Sequence, residues 1–301
     1  MSQPRATPHR SRGYWLRIFL FAGATLSLGF GLLLAGLGRS MALGYLRPQR
    51  QDLSRIGTPA DLGVPYQDVT LTTSDGIALA AWYTAPANDT VVLVAHGHAA
   101  ARLPEIHVLF ATNGYGVLAW DARAHGASGG DFTSLGYYER LDAAAALAYA
   151  QAQPGVRHVV MWGQSMGGAT AILAAAEQPA IEAVIVDSVF TTLAETINTA
   201  VPIPVLRPFI RPFAEAEAGI SVDRVRPIDE ISRIAPRPIF IIHGADDTAV
   251  PPDSGPRLFA AAGEPKALWI IAGARHVGGY RLDPATYETR VIAFLADALA
   301  P

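Results

Sequence analysis

The sequence predicts an α/β fold, a mostly parallel sheet with helices on both faces, and three observations carry that expectation. Continuous short apolar runs such as Val91-Val92-Leu93-Val94-Ala95 recur along the chain, as strands covered on both faces require. Helix-length segments alternate with these runs, the pattern of parallel strands joined by crossovers. Between one such strand and one such helix stands Gly163-Gln164-Ser165-Met166-Gly167, which reads as a sharp strand–turn–helix elbow with Ser165 at its apex.

The chain has 301 residues and is half hydrophobic, enough for one large domain with a sizeable core. A net charge of −3 gives no electrostatic footprint for nucleic acid. The absence of cysteine excludes disulfides, thiolate nucleophiles and thiolate metal sites, and it leaves the redox compartment undetermined.

Residues 1–17 form a basic tail with Arg5, Arg10, Arg12 and Arg17, and His9 among them. Ile18 to Gly38 is an uncharged apolar run that, as a helix, extends roughly 32 Å, about the thickness of a bilayer core. Tyr14 and Trp15 suit the membrane interface. The run reads as a transmembrane anchor. A cleaved secretory signal is the alternative, with Gly36-Leu37-Gly38 or Ala42-Leu43-Gly44 as the small-residue site. The basic tail points inward, which puts the large domain outside the cytoplasm, although Arg39, Arg47, Arg50 and Arg55 weaken the bias. Residues 39–65, rich in Pro and Gly, read as a linker to a domain spanning 66–301.

Within that domain, Asp68–Thr73 and Ile77–Tyr83 flank Asp75-Gly76, a hairpin signal. The strand Val91–Ala95 follows, then a helix over Leu103–Asn113 capped by Gly114, and a strand over Gly116–Asp121. A helix over Tyr137–Gln153 leads to the strand Val156–Trp162 before the elbow, and the Ala-rich helix comes after it. Further strands are expected at Ala183–Asp187, Ile239–His243 and Leu268–Ile271, with a last helix at about Pro284–Ala300. Residues 191–233 break this rhythm. Pro202, Pro204, Pro208, Pro212 and Pro227 forbid one long helix, so the stretch reads as an insertion of helical pieces over the sheet's C-terminal edge. Its apolar residues, Phe209, Ile210 and Phe213 among them, suit equally a lid over a pocket and plain core packing. No internal repeat is evident.

Gly-x-Ser-x-Gly alone is a weak pattern, and a glycine-rich helix start capped by Ser165 is the plain alternative. Its context favours a nucleophile, because partners follow in the right order. His276 lies in a loop between the last strand and the last helix, and it is the candidate base. The orienting acid is Asp247, at the C-terminal end of the strand ending in His243. Asp246 competes with it, since a one-residue shift changes which carboxylate points inward, and Asp187 is a third candidate. Acyl transfer also needs donors for an oxyanion. The Met166 N–H, at a helix start, is one, and the His98 N–H, in the loop His96-Gly97-His98, is the other. His96 and His98 are spaced to share a metal, but no third ligand cluster accompanies them, so no metal and no cofactor is expected. The turn Asp121–Ser128 reads as a structural brace in which Asp121 and Arg123 bond locally.

Taken together, the His96-Gly97 loop, the Asp121-x-Arg123-x-His125-Gly126-x-Ser128 turn, the Gly163-x-Ser165-x-Gly167 elbow, the His243-Gly244-x-x-Asp247 stretch and His276 resemble the α/β-hydrolase superfamily over about residues 66–300. Within it the chain is similar to membrane-anchored serine hydrolases, monoacylglycerol lipases and serine aminopeptidases. The resemblance implies Ser165 as nucleophile, Asp247 as acid, His276 as base, His98 and Met166 as oxyanion donors, and no cofactor. Ala124 departs from the family turn, where Gly is usual, and His98 replaces the usual Asn or apolar residue. The function expected is cleavage of a small acyl ester or thioester at a membrane. A peptidase that trims N-terminal residues is the alternative, which would need pocket carboxylates such as Glu215 or Glu217, and a non-catalytic binding protein on the same fold is the third reading.

Overall fold

The computed structural model describes residues 11–201 and 203–300; Arg5, His9 and Arg10 of the basic tail, and Pro202 of the insertion, lie outside the described residues. The chain forms α1 (Arg12–Leu46), β1 (Gln67–Thr72), β2 (Ala78–Thr84), β3 (Thr90–Ala95), α2 (Pro104–Thr112), β4 (Gly116–Trp120), α3 (Glu139–Gln151) and β5 (His158–Gln164). It continues through α4 (Met166–Glu177), β6 (Val184–Asp187), α5 (Leu193–Ala200), α6 (Arg207–Ala218), α7 (Pro227–Glu230), β7 (Ile239–Gly244), α8 (Ser254–Ala261), β8 (Lys266–Ile271), α9 (Gly279–Leu282) and α10 (Pro284–Ala298).

The eight strands make one sheet in the order β1-β2-β4-β3-β5-β6-β7-β8. β2 runs antiparallel to both its neighbours, and from β4 to β8 the pairing is parallel. Successive side chains of a strand point to opposite faces, and here both faces are core. Val91, Leu93, Val159 and Met161 pack with α3 and α4 on one side, whereas Val92, Val94, Val160 and Trp162 pack with α2 and α10 on the other. That double cover is why the central strands are apolar without alternation.

Two departures from the sequence expectation bear on the site. α8 has no counterpart in the sequence reading, because Pro251, Pro252 and Pro256 break the apolar pattern; Pro256 lies in its first turn, where proline is tolerated. The helix expected at Ile18–Gly38 begins at Arg12 and runs on through Arg39 to Leu46, so the first part of the expected linker is helical. The run of apolar residues stops at Arg39, but no proline follows before Pro48. Leu34, Gly38, Ala42 and Leu46, four residues apart, form its buried stripe, and Leu34 and Ala42 pack with Val201, Leu206 and Ile210 of the insertion. The rest of α1 is largely exposed, with a mean hydropathy of 2.1 over its most apolar window, long and apolar enough to cross a membrane.

Candidate active site

Ser165 joins β5 to α4 with φ 51° and ψ −117°, a backbone shape that is costly for a residue with a Cβ. The neighbouring glycines make it possible. A Cβ on Gly163 would lie 2.3 Å from the Gly167 carbonyl oxygen, and one on Gly167 would lie 2.2 Å from that of Ala95. The elbow therefore depends on helix and strand crossing at backbone contact.

The ends of β5, β7 and β8 bring Ser165, Asp247 and His276 together at the carboxyl edge of the sheet, where loops of parallel strands gather. His276 Nε2 is 3.0 Å from Ser165 Oγ, and His276 Nδ1 is 2.8 Å from Asp247 Oδ2. Asp247 is buried, and its other oxygen accepts from the Ala249 and Val250 N–H groups at 2.9 Å each. Burial pushes its carboxyl up, but the His276 bond and the two amides outweigh that, and the group is held below the usual carboxylate range. Asp246 is exposed, and among the described residues only its N–H is anchored, to the Ala274 carbonyl at 2.9 Å. The geometry thus separates the two carboxylates that the sequence left in competition.

Asp187 faces elsewhere. It accepts from the Ser188 hydroxyl at 2.8 Å and from the Tyr287 hydroxyl at 3.0 Å, and burial pushes its carboxyl up to about 6. Trp162 Nε1–H donates to the same Tyr287 hydroxyl at 3.2 Å, while Ser188 Oγ accepts from the Val277 N–H at 3.1 Å. This network ties the peptide unit following His276 to the strand beside the elbow. Sequence reasoning missed Ser188 and Tyr287, since neither carries a motif and Tyr287 sits on the core face of the last helix.

His98 and Met166 flank the space in front of Ser165. Among the described residues, neither backbone N–H has a hydrogen-bond acceptor. Met166 opens α4, where the helix leaves its first amides free. The His98 ring is itself anchored: Nε2–H donates to the Tyr45 carbonyl of α1 at 2.7 Å. Burial lowers the ring's pKa from its ordinary value. Behind it, His96 donates from Nδ1 to the Gly97 carbonyl and accepts at Nε2 from the Ala122 N–H, at 2.7 and 2.9 Å. His125 is held likewise between the Arg123 carbonyl and the Ala99 N–H, at 2.8 and 3.1 Å. Both rings spend both nitrogens on backbone, and burial holds each pKa at about 4. Asp121 bonds within its turn as expected, accepting from the Ala127 N–H at 2.9 Å and, at its carbonyl, from the Ser128 hydroxyl at 2.5 Å, and it also receives the Arg102 amide at 2.9 Å. The Arg123 guanidinium instead reaches beyond the turn, to Asp142 of α3 at 2.7 Å and Asp75 of the hairpin turn at 2.8 Å.

In front of the serine lies a cavity of about 390 Å³. Insertion residues such as Ile197, Ile210 and Val222 line it together with Ala42, Tyr45 and Leu46 of α1, and among the described residues no Asp, Glu, Lys or Arg does. Glu215 accepts from Arg211, Ser221 and Val222 instead, and Glu217 pairs with Arg47.

The sheet order and an elbow serine at its carboxyl edge define an α/β-hydrolase. Known proteins agree. The family described as Hydrolase_4, serine aminopeptidase, S33, matches residues 86–216. The uncharacterized protein YqkD of Bacillus subtilis is 30% identical over 234 residues, 73% of this chain and 76% of that protein. Protein bem46 of Schizosaccharomyces pombe is 27% identical over 249 residues, covering 75% and 79%. The structure of the Pyrococcus furiosus esterase Pf2001 superposes with a TM-score of 0.72 at 28% identity, covering 85% of this chain and 99% of that one. The chain belongs to this α/β-hydrolase family and is a hydrolase by fold and kinship.

Proposed function

We propose that the chain is a membrane-anchored serine hydrolase that cleaves a carboxylic ester or thioester through an acyl-Ser165 intermediate. The observation that carries this is the continuous path Asp247–His276–Ser165, at 2.8 and 3.0 Å, opening into an apolar cavity. Ser165 Oγ attacks the substrate carbonyl carbon as its proton passes to His276 Nε2. Asp247 stays ionised and stabilises the imidazolium through the Nδ1–H bond. The oxyanion accepts from the His98 and Met166 N–H groups, donors worth about 3 kcal/mol each in such sites. Collapse breaks the C–O or C–S bond, and the leaving group takes the proton from Nε2. Water, deprotonated by His276, then frees the acid and restores the serine.

The apolar lining supports an acyl group over a peptide. An aminopeptidase needs a carboxylate to hold the substrate's amine, and burying an unpaired ammonium in this cavity would cost several kcal/mol. Helix α1 is the anchor in this reading, with the hydrolase domain on the extracytoplasmic side. Full-length protein in detergent should hydrolyse p-nitrophenyl esters and not aminoacyl p-nitroanilides; faster turnover of the anilides would return the assignment to the peptidases.

A further inference from the structure

The C-terminal end of α1 does more than lead out of a membrane. Ala42, Tyr45 and Leu46 line the cavity that holds Ser165 and His276, so part of the substrate's surroundings comes from the helix that is read as the anchor. The approach is close by construction. A Cβ on Gly38 would lie 2.6 Å from Phe209 Cβ and 2.9 Å from its carbonyl carbon, so α6 packs on α1 at backbone distance. The chain just after the helix is fastened to the loops that frame the site. The Leu46 carbonyl accepts from the Thr133 N–H at 2.7 Å, and the Thr133 hydroxyl in turn lies 3.4 Å from Met166 Sδ. The Arg50 guanidinium donates to the carbonyls of Gly126 and Gly130 at 3.1 and 3.0 Å, and Gln51 Nε2 donates to the Ala99 carbonyl at 2.7 Å. The His98 ring, bonded to the Tyr45 carbonyl, belongs to the residue whose N–H faces the oxyanion.

We propose that the last two turns of α1 are a working part of the substrate site: Ala42 and Leu46 set the depth of the acyl cavity, and the Tyr45 carbonyl, through the His98 ring, positions the loop that carries the second oxyanion N–H. This inference rests on the esterase reading given above. Two consequences follow from the chemistry. The acyl chain lies against the membrane helix, so its length is read by residues of that helix. Cleavage at Ala42–Gly44 would remove Ala42 from the cavity wall, and cleavage at Gly36–Gly38 would strip the Leu34 and Gly38 packing that holds that wall against the insertion, so the helix is retained in the active protein.

The test uses the full-length protein in detergent with p-nitrophenyl esters from acetate to dodecanoate. Ala42→Leu fills the cavity, and the ratio of kcat/KM for long over short esters should fall on the order of tenfold, since one or two methylenes are worth about that much in an apolar pocket. Leu46→Ala opens the cavity and should shift the ratio the other way, which guards against a variant that merely loosens the fold; melting temperatures are read alongside. For the positioning role, His98→Phe keeps a ring but cannot donate to Tyr45, and kcat should fall about tenfold to a hundredfold while KM stays nearly constant. His98→Gln, whose amide reaches the same carbonyl, should recover most of the loss. Unchanged chain-length ratios in both cavity variants, or equal kcat in His98→Phe and wild type, overturn the inference alone. A wild type that hydrolyses none of the esters overturns the esterase reading and the inference with it.

Discussion

The floor of the cavity is set by Ser165, His276 and Asp247, which stand at the ends of β5, β8 and β7 in a sheet covered on both faces. Its roof is made by α1, α5 and α6, helices that meet along one stripe of small and apolar residues. The floor is a hydrogen-bonded assembly in which Ser165, His276 and Asp247 are joined in series and the distortion at Ser165 rests on backbone contact at Gly163 and Gly167. The roof has almost no polar bonds into the cavity, and its shape comes from how closely two helices approach at Gly38. On the proposed function, directional contacts would hold the chemistry and packing the specificity, so the two should respond differently to substitution.

The floor should fail first and hardest. Ser165→Ala or His276→Ala is expected to lower kcat about a million-fold, with a melting temperature close to wild type. Asp247→Asn should cost about 10⁴-fold, because the amide favours the wrong tautomer of His276, whereas Asp246→Asn should leave ester turnover near wild type. Similar losses in the two Asn variants would show that Asp247 is not the carboxylate that orients His276. The roof should respond more mildly. Gly38→Leu forces α6 away from α1 and should cost about 1–3 kcal/mol in urea denaturation. Its long-ester activity should fall while Ser165 still reacts with a fluorophosphonate. Loss of both together would mean that floor and roof are one unit.

Smaller effects test the surrounding shell. His107 is buried with its Nδ1 unpartnered, and burial lowers its pKa from 6.5 to about 4. The unfolded chain therefore takes up a proton near pH 6.5 before the folded one does. The stability gained from burying the neutral ring is complete above about pH 6.5 and is lost as the pH falls toward 4. His107→Leu should flatten the fall in melting temperature across that window relative to wild type. Ala124, where the family turn has Gly, holds φ 61°. Ala124→Gly should then stabilise by up to about 1 kcal/mol, by relieving left-handed strain, visible as a small rise in melting temperature. No rise would mean that the turn gains as much from the alanine methyl as it loses to strain.

The floor was largely legible in the sequence because its parts are local. Gly163 to Gly167 fixes an elbow, and the chain order of Ser165, Asp247 and His276 arranges the rest once a parallel sheet is assumed. Asp246 and Asp247 could not be told apart, since one residue of loop geometry decides which carboxylate is buried. The roof was not legible. The apolar count ended at Arg39, and nothing in the residues from Ser40 to Leu46 announces that they wall a cavity closed by residues far along the chain. The Asp187–Tyr287–Trp162 network stayed hidden for the same reason, because its members meet only in three dimensions.

A reactive Ser165 is the central expectation. Full-length protein in detergent, treated with a fluorophosphonate probe, should be labelled at Ser165, and the label should vanish in Ser165→Ala and drop sharply in His276→Ala. A folded wild type that takes no label, or a Ser165→Ala variant labelled as strongly as wild type, would contradict it.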